Sequence, residues 1–295
     1  MNKDTFLELL QRKKQEIDEA LPAKIEGIDA HSGLKEAMLY SILAGGKRLR
    51  PILFFRTIEA LGKDSQPYMD IGCAIEMIHT YSLIHDDLPA MDDDDFRRGN
   101  LTNHKVYGEA LAILAGDGLL TFAFQTIADS KTIESNVKVD LISKLATAAG
   151  PEGMIDGQAA DLDAEDKKIA IDELEQIHRN KTGALLGFSI YGGAKVAGGS
   201  QQQLVHLTHF ANHLGLAFQI QDDILDIEGD EGIIGKPVGS DQQNKKSTYP
   251  QLLTLEGAKK KLSQEVDNAK EHLYKAGIDH TWLVSFTDYM VSRDH

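Results

Sequence analysis

One cysteine, one tryptophan and seven prolines are all that 295 residues hold of these types. The lone Cys73 excludes an internal disulfide, and nothing near it suggests a metal or nucleophile site, so it reads as a core thiol. No Pro-, Ser- or Gly-rich linker and no internal repeat interrupts the chain, and a single domain over 1–295 is expected. Long apolar runs are missing as well. The most apolar uncharged stretch, GALLGFSIYGGA (183–194), falls short of the roughly 20 residues that a membrane span needs. The N-terminal MNKDTFLELLQRKKQEIDEAL lacks the apolar centre of a signal peptide, which points to the cytoplasm. Positive charge is scarce: 31 basic against 46 acidic residues leave a net charge of −15, which argues against nucleic-acid binding. A phosphorylated substrate stays compatible with that balance if metal ions bridge the acids to the phosphates.

What the chain does have is a helical period. Leu10, Ile17 and Leu21 share a face, and similar faces recur over 34–43, 51–61, 69–83, 107–128, 137–148, 172–196, 201–227, 257–276 and 278–291. Gly45 and Gly46 end one helix, Pro51 opens the next and Gly62 closes it. Pro89 ends another, because it pushes Leu88 out of the α region. No stretch alternates convincingly as a strand. The expected fold is all-α, a single large bundle of about ten or more helices with functional groups projecting inward from facing helices.

Two segments concentrate acid. In FQIQDDILDIEGD (218–230), Asp222 and Asp226 stack on one helix face with Asp223 beside them, among apolar residues. Buried acids need paired charge or metal. In IHDDLPAMDDDDFRRG (84–99), Asp86 and Asp87 precede Pro89, and Asp92 lies about 240° around a continuous helix from Asp86. Only a break at Pro89 followed by a turn would bring Asp92 back to Asp86. Oxygen-only clusters suit Mg²⁺, which keeps waters and shares phosphate oxygens with a substrate, whereas Zn²⁺ would call for His or Cys at ligand spacing.

Cations supply the complement. GGKRLRP (45–51) sets three of them on a glycine loop before a helix start, where free N–H groups and the helix dipole favour an anion. Arg97, Arg98, Lys181 in NKTG, Lys236 in GKP and Lys246 in KKST add to the set.

These segments, together with EMIHTYSLIHDD, NHKVYGEALAILAGDGLL, GQAADLD and GKPVGSD, resemble the trans-isoprenyl diphosphate synthases, and within them the bacterial farnesyl type. The match runs from about residue 38 to 250. The resemblance implies helices packed around a central cavity in which an allylic diphosphate ionises and the double bond of isopentenyl diphosphate attacks its carbocation. Position by position, it implies Mg²⁺ ligands at Asp86, Asp92 and Asp222. Asp87, Asp223 and Asp226 are weaker candidates for the same role, the alternative being hydrogen bonds to metal-bound water or lysine. Arg97, Lys181, Lys236 and, less securely, Lys246 would hold the allylic diphosphate (dimethylallyl or geranyl). Lys47, Arg50, His79 and Arg98 would hold isopentenyl diphosphate without a metal. Thr182 and Gln219 would set oxygen dipoles near the cation, and the departed pyrophosphate would take the last proton. The family also implies a homodimer.

Tyr81 lies five residues before Asp86, about 7.5 Å along a helix, where its ring would floor a pocket for the growing chain. With the two-residue insertion in DDLPAMD this resembles the C15 type, the C20 (geranylgeranyl) type being the alternative. Other residues read as ordinary structure: Arg48 and Lys245 as solvated charges, Asp93, Asp94 and Asp95 as caps or arginine partners, and His85 as a packed orienting residue. Asp161 and Gln158 either support the metal site or are polar helix positions. An HD-type phosphohydrolase would need further histidines, and a terpene cyclase has no use for the GGKRLRP cations and His79. A noncatalytic partner subunit would have lost aspartates or the arginine pair, and both sets are intact.

Overall fold

A computed structural model of the chain describes residues 1–228 and 247–292. It is all-α, as the period implies, with α1 (Lys3–Glu26), α2 (Ser32–Leu43), α3 (Leu49–Ala60), α4 (Met69–Asp86), α5 (Asn103–Tyr107), α6 (Glu109–Asp129) and α7 (Ser135–Ala149). It continues through α8 (Met154–Ala164), α9 (Ile171–His178), α10 (Ala184–Val196), α11 (Gln201–Glu228), α12 (Tyr249–Leu253), α13 (Leu255–Ala276) and α14 (Thr281–Ser292). The contacts divide the chain into two compact units. The N-terminal unit is Leu7–Phe55 with Asp64–Ser143; the C-terminal unit is Met1–Phe6, Arg56–Lys63 and Lys144–His295.

The N-terminal unit is organised on α4. Ile71, Ala74, Ile75, Met77 and Ile78 are fully buried, and a helix apolar on all sides belongs in a core. Cys73 is buried among them, and burial pushes its thiol up to about 12, so it is the inert core thiol expected. Phe55 lies flat over Gly72, where a Cβ would stand 2.3 Å from the ring. Helix α6 packs along α4. At the contact the His85 ring fills the place of a side chain at Gly116, and its Nε2 donates to the Ile113 carbonyl at 3.1 Å. His85 is thus the packed residue its sequence neighbourhood suggested. Among the described residues α6 is also the one helix long and apolar enough, by length and composition, to cross a membrane.

Arg48 overturns its reading as a solvated charge. It follows the Gly45–Gly46 turn in the left-handed region at φ 51°, which turns its side chain inward. Nε donates to Asp18 at 2.8 Å, Nη1 to Glu76 at 2.8 Å and Nη2 to the Ile42 carbonyl at 2.7 Å. The side chain is 2% exposed, as is that of Glu76. Arg48→Ala would strand Glu76 as a buried charge, and a loss of about 3–5 kcal/mol in urea denaturation is expected. A loss below about 1 kcal/mol would show that the pair is solvated after all.

The sequence shows no strand pattern, yet Phe96–Arg97 and Asn100–Leu101 form an antiparallel ribbon, with Phe96 opposite Leu101 and Arg97 opposite Asn100. Two residues per strand are too few to alternate visibly. The turn is made by Arg98 and Gly99, both at positive φ (55° and 79°), as the tightest hairpins require.

In the C-terminal unit α11 packs along α13, and Leu174, Ile177, Leu216, Ile220, Ile224 and Tyr249 form part of its core. Two departures from the sequence reading occur here. Helix α8 carries GQAADLD, too small and polar to show an apolar face. The single helix expected over 172–196 is instead α9 and α10 joined by a π turn, Arg179–Gly183. Neighbouring backbones touch this turn: a Cβ on Gly157 would lie 2.1 Å from the Lys181 amide nitrogen, and one on Gly215 would lie 3.1 Å from the Gly183 Cα.

Candidate diphosphate-binding site

The first acid cluster closes as the break at Pro89 requires. Asp86 is the last residue of α4, and its carbonyl accepts the Asp92 N–H at 2.9 Å, while the Leu88 carbonyl accepts those of Met91 at 2.8 Å and Asp93 at 3.2 Å. The backbone turn therefore brings Asp92 back to Asp86. Asp87 points elsewhere. It is buried, and Arg97 donates Nε to its Oδ1 at 2.5 Å. Burial outweighs the guanidinium, so the Asp87 carboxyl lies above the usual carboxylate range. Asp94 reaches Arg97 at 3.3 Å, the arginine pairing foreseen for it, whereas Asp95 pairs with Lys105 at 2.6 Å, a lysine in place of the expected arginine.

The cations of the same unit gather around the glycine loop. The Arg98 guanidinium lies against Gly46, where a Cβ would stand 2.5 Å from Nη1, and Nη1 donates to the Gly45 carbonyl. Glycine at 46 is demanded by its φ of 139°, whereas the guanidinium, at the far end of a flexible side chain, could shift to admit a Cβ. Arg50 Nε is buried with no hydrogen-bond partner among the described residues, and burial pulls its guanidinium down to about 10. His79 is held well below its ordinary value by burial and by the charge of Arg50 and Arg98, so it is a neutral ring that offers an N–H rather than a charge. Lys47 is exposed at the loop's end. Tyr81 is 5% exposed, edge-on to His85 at 5.7 Å, and its hydroxyl has no partner among the described residues. Burial and Asp86 push the phenol up to about 12.

The second cluster sits on α11. Asp222 and Lys181 line one cavity of about 190 Å³, together with Asp161, His178, Gln219 and Asp223. The π turn presents Lys181 there, and Asp161 on α8 accepts its ammonium at 2.6 Å. Single π turns recur at functional positions because they re-aim side chains that a regular helix would stack. Asp161 is thereby a lysine partner. Asp223 is buried and accepts the N–H of Tyr249 at 2.8 Å, so it holds the start of α12. Gln219 Nε2 donates to Asp222 at 3.3 Å. Both amide atoms of Gln158 are buried without partners among the described residues. Asp226 and Thr182 are half-buried. Lys236, Lys245 and Lys246 lie outside the described residues. Gly157→Ala would drive a methyl into the Lys181 backbone, which cannot swing aside as a side chain would. We expect activity and melting temperature to fall together, and a variant unchanged in both would disprove the close packing.

Sequence reasoning passed over His178 and Tyr249, whose rings stack at 5.8 Å and 15°. A single histidine at a helix end has no spacing to mark it; the one local signal was its place three residues before Lys181.

Oxygen is the donor Mg²⁺ takes, and the carboxylates of Asp86, Asp92 and Asp222 fit it, although among the described residues no three His, Cys, Asp or Glu side chains form a metal site by themselves. An all-helical fold with two aspartate clusters, each beside cations, is of the isoprenoid synthase class. Comparison specifies it further. The polyprenyl synthetase model matches residues 31–277, and the chain belongs to that family. A farnesyl diphosphate synthase of Geobacillus stearothermophilus is 55% identical over 290 residues, 98% of each chain. One of Bacillus subtilis (strain 168) is 49% identical over 288 residues, 97% of each chain. A crystal structure of an FPP/GFPP synthase from Zymomonas mobilis, in apo form, matches at a TM-score of 0.86 and 35% identity, covering 98% of this chain and 99% of that one.

Proposed function

We propose that this chain is a Mg²⁺-dependent prenyltransferase. It condenses dimethylallyl or geranyl diphosphate with isopentenyl diphosphate, releasing pyrophosphate and ending at farnesyl diphosphate, C15. The observation that carries this reading is the pairing of Lys181 with Asp161 in the cavity that Asp222 lines, a cation and an acid held ready for a phosphate group. The near full-length likeness to two bacterial farnesyl diphosphate synthases supports the product.

Asp86, Asp92 and Asp222, with Asp87 and Asp226 as weaker candidates, would hold Mg²⁺, which when bound would neutralise charge on the leaving diphosphate. The chain's own residues do the rest. Lys181 and Arg97 leave their acids in part to hold the allylic diphosphate, and Lys236 and Lys246 join them. These interactions strengthen as charge builds on the departing group, and only such strengthening lowers the barrier. Thr182 and one lone pair of the Gln219 oxygen face the allylic cation. Lys47, Arg50 and Arg98 hold isopentenyl diphosphate by charge, and His79 by an N–H. Released pyrophosphate accepts the proton that restores the double bond.

The assay is direct: purified chain, dimethylallyl and isopentenyl diphosphates, with and without Mg²⁺. Pyrophosphate release and a C15 alcohol after dephosphorylation, both abolished by chelation, are expected. A well-folded chain that forms no product would instead be a noncatalytic subunit.

The chain works as one domain. Three of the four borders between its two units, at 6/7, 55/56 and 143/144, fall inside α1, α3 and α7 rather than in linkers, where domain boundaries normally lie, and the fourth, at 63/64, lies between α3 and α4. It is read as a cytoplasmic protein, and α6, the one helix among the described residues long and apolar enough to span a membrane, is read as a core helix: Ala112, Ala115, Leu119, Ala123 and Ile127 are buried, and Asp117 interrupts its apolar surface. The same helix leaves Ile113 and Leu114 exposed, which suits a homodimer. Leu114→Asp is expected to shift the species in light-scattering chromatography from dimer to monomer, and an unchanged mass would place the interface elsewhere.

A further inference from the structure

Four histidines meet in the C-terminal unit, away from the site described above. His206, His209 and His213 stand at i, i+3 and i+7 in HLTHFANHL, so they share one stripe of α11, and His272 reaches them from α13. The His272 ring lies against all three. Its centroid is 4.6 Å from that of His209 at 26°, 5.6 Å from His213 at 22° and 5.4 Å from His206 at 43°. Between the two helices, Nδ1 of His206 and Nδ1 of His272 are 3.2 Å apart. As a hydrogen bond, one of these atoms carries a proton and donates it to the lone pair of the other. Moving that proton to Nε2 of its own ring leaves two lone pairs facing one point, with no net loss of a proton. An ion at the usual imidazole distance of about 2.1 Å from each nitrogen would subtend about 100°, between the octahedral and tetrahedral angles.

We propose that His206 and His272 are the protein ligands of a divalent transition ion of the Zn²⁺, Ni²⁺ or Cu²⁺ class, which clasps α11 to α13. Imidazole is a ligand these ions take, whereas Mg²⁺ takes oxygen, so Mg²⁺ does not compete for the pair. Among the described residues no three His, Cys, Asp or Glu side chains form a complete site, so water fills the remaining positions. His209, exposed and stacked on His272, is a further imidazole within reach. The neighbours suit the role. His213 donates Nδ1–H to the buried Glu265 carboxylate at 2.6 Å, which fixes the ring that lies against His272. Burial, then the charge of His209, His213, His206 and Lys275, holds His272 below its ordinary value, so at neutral pH it offers a lone pair rather than a positive charge. His206 precedes Asp222 by 16 residues, about 24 Å along α11, so this ion is separate from any that the aspartates hold.

Cu²⁺ is the probe, because it binds nitrogen sites most tightly in this series and its electron paramagnetic resonance spectrum registers nitrogen ligands. One equivalent added to the unaltered chain in a large excess of Mg²⁺ should give nitrogen hyperfine splitting from two or more imidazoles. An oxygen-only spectrum, such as the aspartate clusters would give, overturns the proposal whether or not any variant folds. In calorimetric titration His206→Ala and His272→Ala should each weaken Cu²⁺ binding by about tenfold or more, since a direct ligand matters at least as much as an outer partner. Unchanged affinity in either variant removes that residue from the site and sinks the pair. Zn²⁺ should raise the melting temperature of the unaltered chain and of neither variant, because an ion that binds only the folded state stabilises it. Four rings that merely pack together predict no such rise, and its absence overturns the clasp. Mg²⁺-dependent condensation should be unchanged in both variants, and a fall in a folded variant would tie the pair to the diphosphate site instead. The spectrum and the titration read the same whatever reaction the chain catalyses.

Discussion

Asp86→Ala is expected to lower kcat by about 10²–10³-fold or more while leaving the melting temperature unchanged or slightly raised, and Asp222→Ala should behave alike. The two effects have opposite electrostatic origins. Under the proposed function each carboxylate would help hold the cation that stabilises the leaving diphosphate, and removing one such preorganised group has a cost of this order. Without substrate, Asp86 stands among Asp87, Asp92, Asp93, Asp94 and Asp95, with Asp92 folded back onto its carbonyl. Deleting a charge from that crowd relieves repulsion. Steady-state rates at saturating Mg²⁺ and a thermal melt on the same preparation check both halves. A variant that unfolds yet keeps its specific activity would remove the metal role.

Tyr81→Ala should convert the product rather than the rate, with C20 and longer alcohols replacing C15 in chromatography of the dephosphorylated products. The ring is buried one and a half turns below Asp86 on α4 and lies edge-on to His85, so its removal opens space along the helix from the acid end. The cavity costs about 3 kcal/mol of stability, an amount a chain of this size can lose and stay folded. If the unaltered enzyme already makes mainly C20, or the variant still stops at C15, Tyr81 is not the floor.

These expectations drew unequally on sequence and structure. Helix α4 with its acids was legible because burial on all sides leaves a mainly apolar segment, and Pro89 marks where it must end. Asp223 was legible only as one of three neighbouring acids. That it holds Tyr249 N–H depends on a segment 26 residues away, which no helical spacing reports. Arg48 and Lys47 are adjacent and alike in sequence; one is buried against Asp18 and Glu76 and the other is exposed, because a left-handed residue after two glycines turns its side chain inward.

The sequence by itself determined the helices, the two acid clusters with their oxygen-only chemistry, and the family, since these rest on short-range period, on residue type and on motifs. Only the tertiary structure decided that Arg97 closes on Asp87, that Lys181 rides a π turn wedged by Gly157 and Gly215, and that His178 stacks on Tyr249. Each of these is set by which distant side chain arrives at a few ångströms. That choice is made by packing in three dimensions and leaves no local period behind it.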